Sequence, residues 1–198
     1  MIKDSIADAI KALELGELVV YPTDTLYALG ADIFNLDAIN KLFVVKKRSF
    51  SQPLSIAVDA YSSIEKIAFT NDIVERVVER FLPGPLTLIL YKKDVVSNLI
   101  TGNLNKIAVR IPNNKIALDL LASYERPLTV TSANIHNEKT PYFINDIMIK
   151  FKGDVSVYLD DGILDGLPST IVDLTFESPK IIRKGAICID EILDAISL

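Results

Sequence analysis

Short apolar runs alternate with stretches of helical periodicity along this chain, and that alternation sets the class of fold. Ile6, Ala9, Ile10 and Leu13 repeat at three- and four-residue spacing after Asp4-Ser5, and Gly16 supplies a stop, which predicts an amphipathic opening helix. Leu18-Val19-Val20-Tyr21 follows as a buried strand, ended by Pro22, which has no N–H for a ladder. Asn35 to Lys46 carries Leu36, Ile39, Leu42 and Phe43 on one helical face, with Asn35 or Asp37 as its cap. Leu54 to Val58 is the next strand, followed by helical segments around Ser62 to Ile67 and from Asp72 to Phe81.

Pro83-Gly84-Pro85 forces a turn before a strand from Leu86 to Tyr91, and Asp94 to Leu99 reads as a short helix or loop. Lys106 to Ile111 is a strand closed by Pro112. Ile116, Ala117, Leu120 and Leu121 mark a helix capped by Asn113 or Asn114, leading to the strand Leu128 to Val130. Thr140-Pro141 puts proline at a first helical position, which predicts a helix to Phe151 closed by Gly153. Val155 to Leu159 is a strand, Ser169 to Asp173 and Lys180 to Arg183 form a closing hairpin, and Asp190 to Ile196 is a final helix. No linker, repeat or low-complexity segment divides residues 1–198. The expectation is a single α/β domain with a twisted open mixed sheet and flanking helices.

Composition narrows the picture. Of 198 residues, 49% are hydrophobic, enough for one sizeable core. The longest apolar runs are strand-length and the first residues do not resemble a secretory leader, so a soluble cytoplasmic protein with no membrane contact is expected. One cysteine, Cys188, and one histidine, His136, exclude an internal disulfide and a Cys/His zinc site. A net charge of −5 argues against a broad nucleic-acid-binding surface, although a basic cavity can sit within an acidic exterior.

The chemistry collects at strand exits. Thr23, Asp24 and Thr25 follow the first strand, Arg110 ends the strand from Lys106, Ser132 and Asn134 follow Val130, and Ser169 and Thr170 open the closing hairpin. Lys46, Arg48 and Arg183 lie beside them in the expected topology. Each group has an ordinary use as well: turns take hydroxyls, helix C-termini favour cations, and a strand arginine can reach water. Together, hydroxyls, an amide and cations without a Ser–His–Asp set suit an oxyanion such as a polyphosphate or a carboxylate. The chain lacks both G-x-x-x-x-G-K-[ST] and G-x-G-x-x-G, so neither a P-loop nor a dinucleotide fold is supported.

Seven motifs in order then matter jointly. Tyr21-Pro22-Thr23-Asp24-Thr25, Lys46-x-Arg48, Pro83-Gly84-Pro85-Leu86-Thr87, Val109-Arg110-Ile111-Pro112, Ser132-x-Asn134, Ser169-Thr170-Ile171-Val172-Asp173 and Arg183-Lys184-Gly185 resemble the YrdC/TsaC family of threonylcarbamoyl-AMP synthases over essentially the whole chain. That resemblance implies a YrdC-like fold with a concave basic cavity. The implied reaction joins L-threonine, bicarbonate or carbon dioxide, and ATP into L-threonylcarbamoyl-AMP, releases pyrophosphate, and feeds threonylcarbamoyladenosine formation in tRNA. It implies catalytic roles for Lys46, Arg48, Ser132 and Asn134, threonine contacts from Thr23, Arg110, Ser132 and Ser169, and ATP contacts from Lys46, Arg48, Gln52, Asn134 and Arg183. Mg²⁺ would arrive with ATP, with no protein-borne metal site. A downstream tRNA threonylcarbamoyl transferase would be met transiently, with weak or no direct tRNA binding.

Two departures from the family pattern stand out. Ala57 occupies a strand position where some longer members carry histidine, and Ser49 follows the K-x-R where many have proline. The chain also ends at Leu198, so the second domain of longer members is expected to be missing and any lid to come from within residues 1–198. The rival readings are a synthase-dead paralogue, an RNA-binding module and a carbamoyl-transfer domain.

Overall fold

Capping chemistry fixes where the helices begin. The computed structural model describes residues 4–197, and its first helix, α1 (Ile6–Glu14), starts in a capping box in which Ser5 and Asp8 bond each other's backbone N–H. Asn35 caps α2 (Leu36–Val45), Asn71 caps α4 (Asp72–Phe81) and Asn114 caps α6 (Lys115–Tyr124), each through its side-chain oxygen. The remaining helices are α3 (Tyr61–Ile67), α5 (Asn98–Thr101), α7 (Ile144–Lys150) and α8 (Ile189–Ser197). Leu36, expected on the buried face of α2, is exposed, and Ala38 takes that place in the core.

The strands are β1 (Val19–Tyr21), β2 (Ala28–Gly30), β3 (Ser55–Ala57), β4 (Leu86–Tyr91), β5 (Lys106–Arg110), β6 (Leu128–Thr129), β7 (Thr131–Ser132), β8 (Val157–Tyr158), β9 (Thr170–Asp173) and β10 (Lys180–Arg183). They form two mixed sheets with flanking helices, ordered β7-β2-β1-β8 and β10-β9-β4-β5-β3-β6. Parallel pairs join β1 to β8, β3 to β5 and β4 to β9; the other pairs are antiparallel. Leu18, Val20 and Leu29 from the first sheet pack in one core with Ile56, Leu88 and Val109 from the second. The opposite face of the first sheet packs Val19 and Tyr21 against Ala9 and Leu13 of α1 and Leu120 of α6.

Three local features differ from the sequence reading. β2 returns antiparallel to β1, so Thr23 to Tyr27 is the loop of a hairpin; Gly30 lets the Tyr21 ring lie where a side chain would sit, only 2.8 Å from an added Cβ. The run Leu128 to Ser132 changes sheets at Val130: β6 pairs with β3, and β7 pairs with β2. Thr129 ties the sheets together there, accepting from Ala31 N at 2.9 Å and donating to Leu29 O at 3.0 Å. Finally, α7 begins at Ile144 and not at Thr140, because Leu164 N donates to Tyr142 O and keeps that segment non-helical. Among the described residues, no helix is long and apolar enough to cross a membrane.

Candidate active site

Strand alternation builds the cavity wall. On the second sheet Leu86, Leu88, Leu90, Ile107 and Val109 turn into the core, so Thr87, Ile89, Ala108 and Arg110 face the other way, across from Ser55 and Ile171 on the neighbouring strands. These residues line a cavity of about 440 Å³, completed by Thr23, Thr25, Tyr27 and Ala28, by Thr131 and Ser132 of β7, and by Ser169 and Arg183. Among the described residues, the lining holds three arginines, Arg48, Arg110 and Arg183, many hydroxyls and no carboxylate. A larger cavity of about 640 Å³ lies near α1 and α6, but its buried Asp32 is fully engaged by Tyr124, Arg126 and Phe34 N.

The hairpin loop is self-braced. Thr23 Oγ1 donates to Leu26 O at 2.6 Å and accepts from Thr25 N and Leu26 N at 3.2 Å, so its hydroxyl orders the turn. Arg110, delivered by β5, donates through Nη2 to Asp24 Oδ1 at 2.5 Å and to Gly84 O at 3.0 Å, and through Nη1 to Thr25 Oγ1 at 3.3 Å. Burial pulls its guanidinium below its usual pKa, and Asp24 opposes that pull. Arg110 Nε and Asp24 Oδ2 are buried without partners.

Lys46 sits behind the cavity wall at the end of α2. Its ammonium, 1% exposed, donates to Ser132 O at 2.5 Å, Asn134 O at 2.7 Å and Asn134 Oδ1 at 3.1 Å. Ser132 Oγ also donates to Asn134 Oδ1 at 2.7 Å, and Asn134 Nδ2 donates to Glu138 O. Lys46 and the S-x-N motif are thus one hydrogen-bonded unit. Burial, with Arg48 adding repulsion, brings the Lys46 pKa down to about 7.

Arg48 and Arg183 supply the accessible positive charge. Arg48 Nη2 donates to Pro53 O at 2.7 Å, while its Nε and the neighbouring Gln52 Oε1 are buried without partners. Arg183 Nε and Nη2 bond Ser169 O at 3.0 and 2.8 Å, and Nη2 also reaches Ser169 Oγ at 2.9 Å, which shares a 2.8 Å contact with Thr87 Oγ1. Gly185 allows this turn because an added Cβ would stand 2.2 Å from Pro168 O.

Of the residues singled out in the sequence, Thr23, Arg48, Arg110, Ser132, Ser169 and Arg183 line the cavity. Lys46 and Asn134 lie one layer behind, and Gln52 is not among the residues that line it. The sequence reading passed over Asp24 as a partner and Thr87, Ser55 and Tyr27 as wall residues. The period-two pattern of β4 carried the signal for Thr87, since Leu86, Leu88 and Leu90 claim the other face. No group of three metal-ligating side chains occurs among the described residues.

The family model Sua5_yciO_yrdC, described as telomere recombination, matches residues 11–185. A Pyrococcus abyssi protein named threonylcarbamoyl-AMP synthase is 37% identical over 179 residues, which is 89% of this chain and 53% of the relative. A Methanocaldococcus jannaschii relative is 36% identical over 178 residues, 89% of this chain and 84% of its own length. The solved structure of P. abyssi Sua5 complexed with L-threonine matches with a TM-score of 0.93 and 36% identity, over 96% of this chain and 57% of that one. The chain therefore spans little more than half the length of these Pyrococcus relatives.

Proposed function

The chain belongs to the Sua5/YciO/YrdC family, and from that premise we propose that its cavity condenses L-threonine, bicarbonate and ATP into L-threonylcarbamoyl-AMP with release of pyrophosphate. The observation that carries this reading is the lining itself: three arginines and a ring of hydroxyls with no carboxylate, in about 440 Å³. Such a lining attracts anions. The reaction needs that property, because a carboxylate, a bicarbonate and a triphosphate must meet in one place. The relative of known structure that binds L-threonine supports the choice of amino acid.

A carbamate oxygen of N-carboxylated threonine attacks the α-phosphate of ATP, a nucleotidyl transfer in which charge gathers on phosphate oxygens and the departing pyrophosphate. Arg48 and Arg183, which line the cavity, offer donors to those oxygens, and Gln52 follows in the loop after Arg48. Lys46 orders Ser132 and Asn134 between the nucleotide and threonine halves, and an arriving polyanion would hold its proton in place. Arg110, Thr23 and Ser169 take the threonine side. ATP would enter as its magnesium complex, and the product would pass in the cytoplasm to a tRNA-modifying transferase. Pyrophosphate release measured with each substrate omitted in turn tests this: release should require ATP, L-threonine and bicarbonate together. Release that continues undiminished without threonine would overturn it.

A further inference from the structure

Arg110 reaches the cavity with its charge already answered. Both Nη2 protons are engaged, one by Asp24 Oδ1 and one by Gly84 O, while Nη1 gives one proton to Thr25 Oγ1. A two-pronged grip on an incoming carboxylate uses Nη2 with either Nη1 or Nε, so it must displace one of these acceptors. The pair is also dry: Arg110 is 4% exposed and the Asp24 side chain 12%. Asp24 is fixed as well by accepting from Asn113 N at 3.1 Å, and its Oδ2 is left buried with no partner. Thr23 and Thr25, on either side of Asp24, line the cavity.

Charges in so dry a place act strongly on anything charged that comes beside them. A simple anion approaching Arg110 meets the repulsion of Asp24 along with the attraction of the guanidinium. An α-amino acid differs, because it carries an ammonium one carbon from its carboxylate, and Asp24, which stands behind Arg110 and not in the lining itself, attracts that ammonium through its field while it repels the carboxylate. We propose that Asp24 is a specificity-determining residue, making the Arg110 half of the cavity select a zwitterionic amino acid over a simple carboxylate. The inference rests on the threonine reading of that half. It gives the site a way to keep bicarbonate and phosphates, which share the cavity, off the amino-acid position.

Isothermal titration of the full chain with L-threonine, with its analogue bearing hydroxyl in place of ammonium, and with acetate tests this. Wild type should prefer threonine over the hydroxy acid by on the order of a hundredfold, since the attraction of the buried Asp24 charge for the ammonium is absent in the hydroxy acid. Asp24→Asn keeps the shape and an acceptor for Arg110 while removing the charge. It should narrow that ratio about tenfold, chiefly through a gain in hydroxy-acid and acetate affinity, whereas Asp24→Glu should leave the ratio within roughly threefold. An unchanged ratio in Asp24→Asn overturns the proposal. So does equal wild-type affinity for threonine and the hydroxy acid, a comparison that needs no variant to fold. If the threonine reading itself is wrong, wild type binds no threonine, yet acetate still gains affinity in Asp24→Asn; that outcome supports the charge filter and overturns the substrate.

Discussion

Two buried cations serve this cavity, and the protein compensates them in opposite ways. Arg110 is met by a carboxylate, Asp24, at 2.5 Å, whereas Lys46 is met only by the uncharged oxygens of Ser132 and Asn134. The first arrangement answers the guanidinium with a carboxylate before anything enters. The second leaves a cation whose charge is only partly stabilised, with its pKa down to about 7. On the proposed reaction, the Arg110 corner should give constant binding and the Lys46 corner should respond to charge.

The largest effect expected from breaking this contrast is on stability at Arg110. Arg110→Ala leaves Asp24 buried without its counter-ion, and removing one partner of such a pair costs about 3–5 kcal/mol. Urea unfolding of the variant should show it, and a double variant with Asp24→Asn should recover much of the loss. Lys46→Met strands only neutral acceptors, so its cost should be smaller, about 1–3 kcal/mol, read from the same denaturation midpoints.

Part of this asymmetry was open to the sequence and part was not. The bounds of α4 and β4 follow from their sequence pattern, while for α2 and α6 the sequence offers Asn35 or Asp37 and Asn113 or Asn114 as caps, and the structure selects Asn35 and Asn114. Ala28-Leu29-Gly30 carries no strand signal, since only its pairing with β1 and the seat it gives the Tyr21 ring make it one. Thr140-Pro141 mimics a helix start, but a long-range bond from Leu164 holds it open. The cations themselves were visible as residue types. Their partners were not, because Asp24 lies 86 residues from Arg110 and two of the three Lys46 acceptors are backbone carbonyls, which no side-chain pattern announces.

The smallest effect sharpens the comparison through pH. An unfolded chain titrates Lys46 near 10.5 and the folded chain near 7, so between those values the unfolded state holds a proton that the folded state has released. Stability should therefore rise with pH across that window, and protonation below about 7 should weigh against the fold. From pH 7 to 8 the rise should be roughly 1 kcal/mol, and it should flatten in Lys46→Met. Arg110 has no such dependence, since a guanidinium stays charged throughout.

Steady-state kinetics with threonine varied at saturating ATP and bicarbonate tests most directly the division between the two corners, provided circular dichroism shows both variants folded. Lys46→Ala should mainly lower kcat, by roughly a hundred- to a thousandfold, as expected when the cation that holds Ser132 and Asn134 in place behind the cavity wall is lost. Arg110→Ala should mainly raise the KM for threonine with a smaller change in kcat, because a carboxylate carries the same charge before and during the reaction. An Arg110→Ala enzyme that keeps the wild-type threonine dependence and loses affinity for ATP would contradict the account and move Arg110 to the nucleotide half of the cavity.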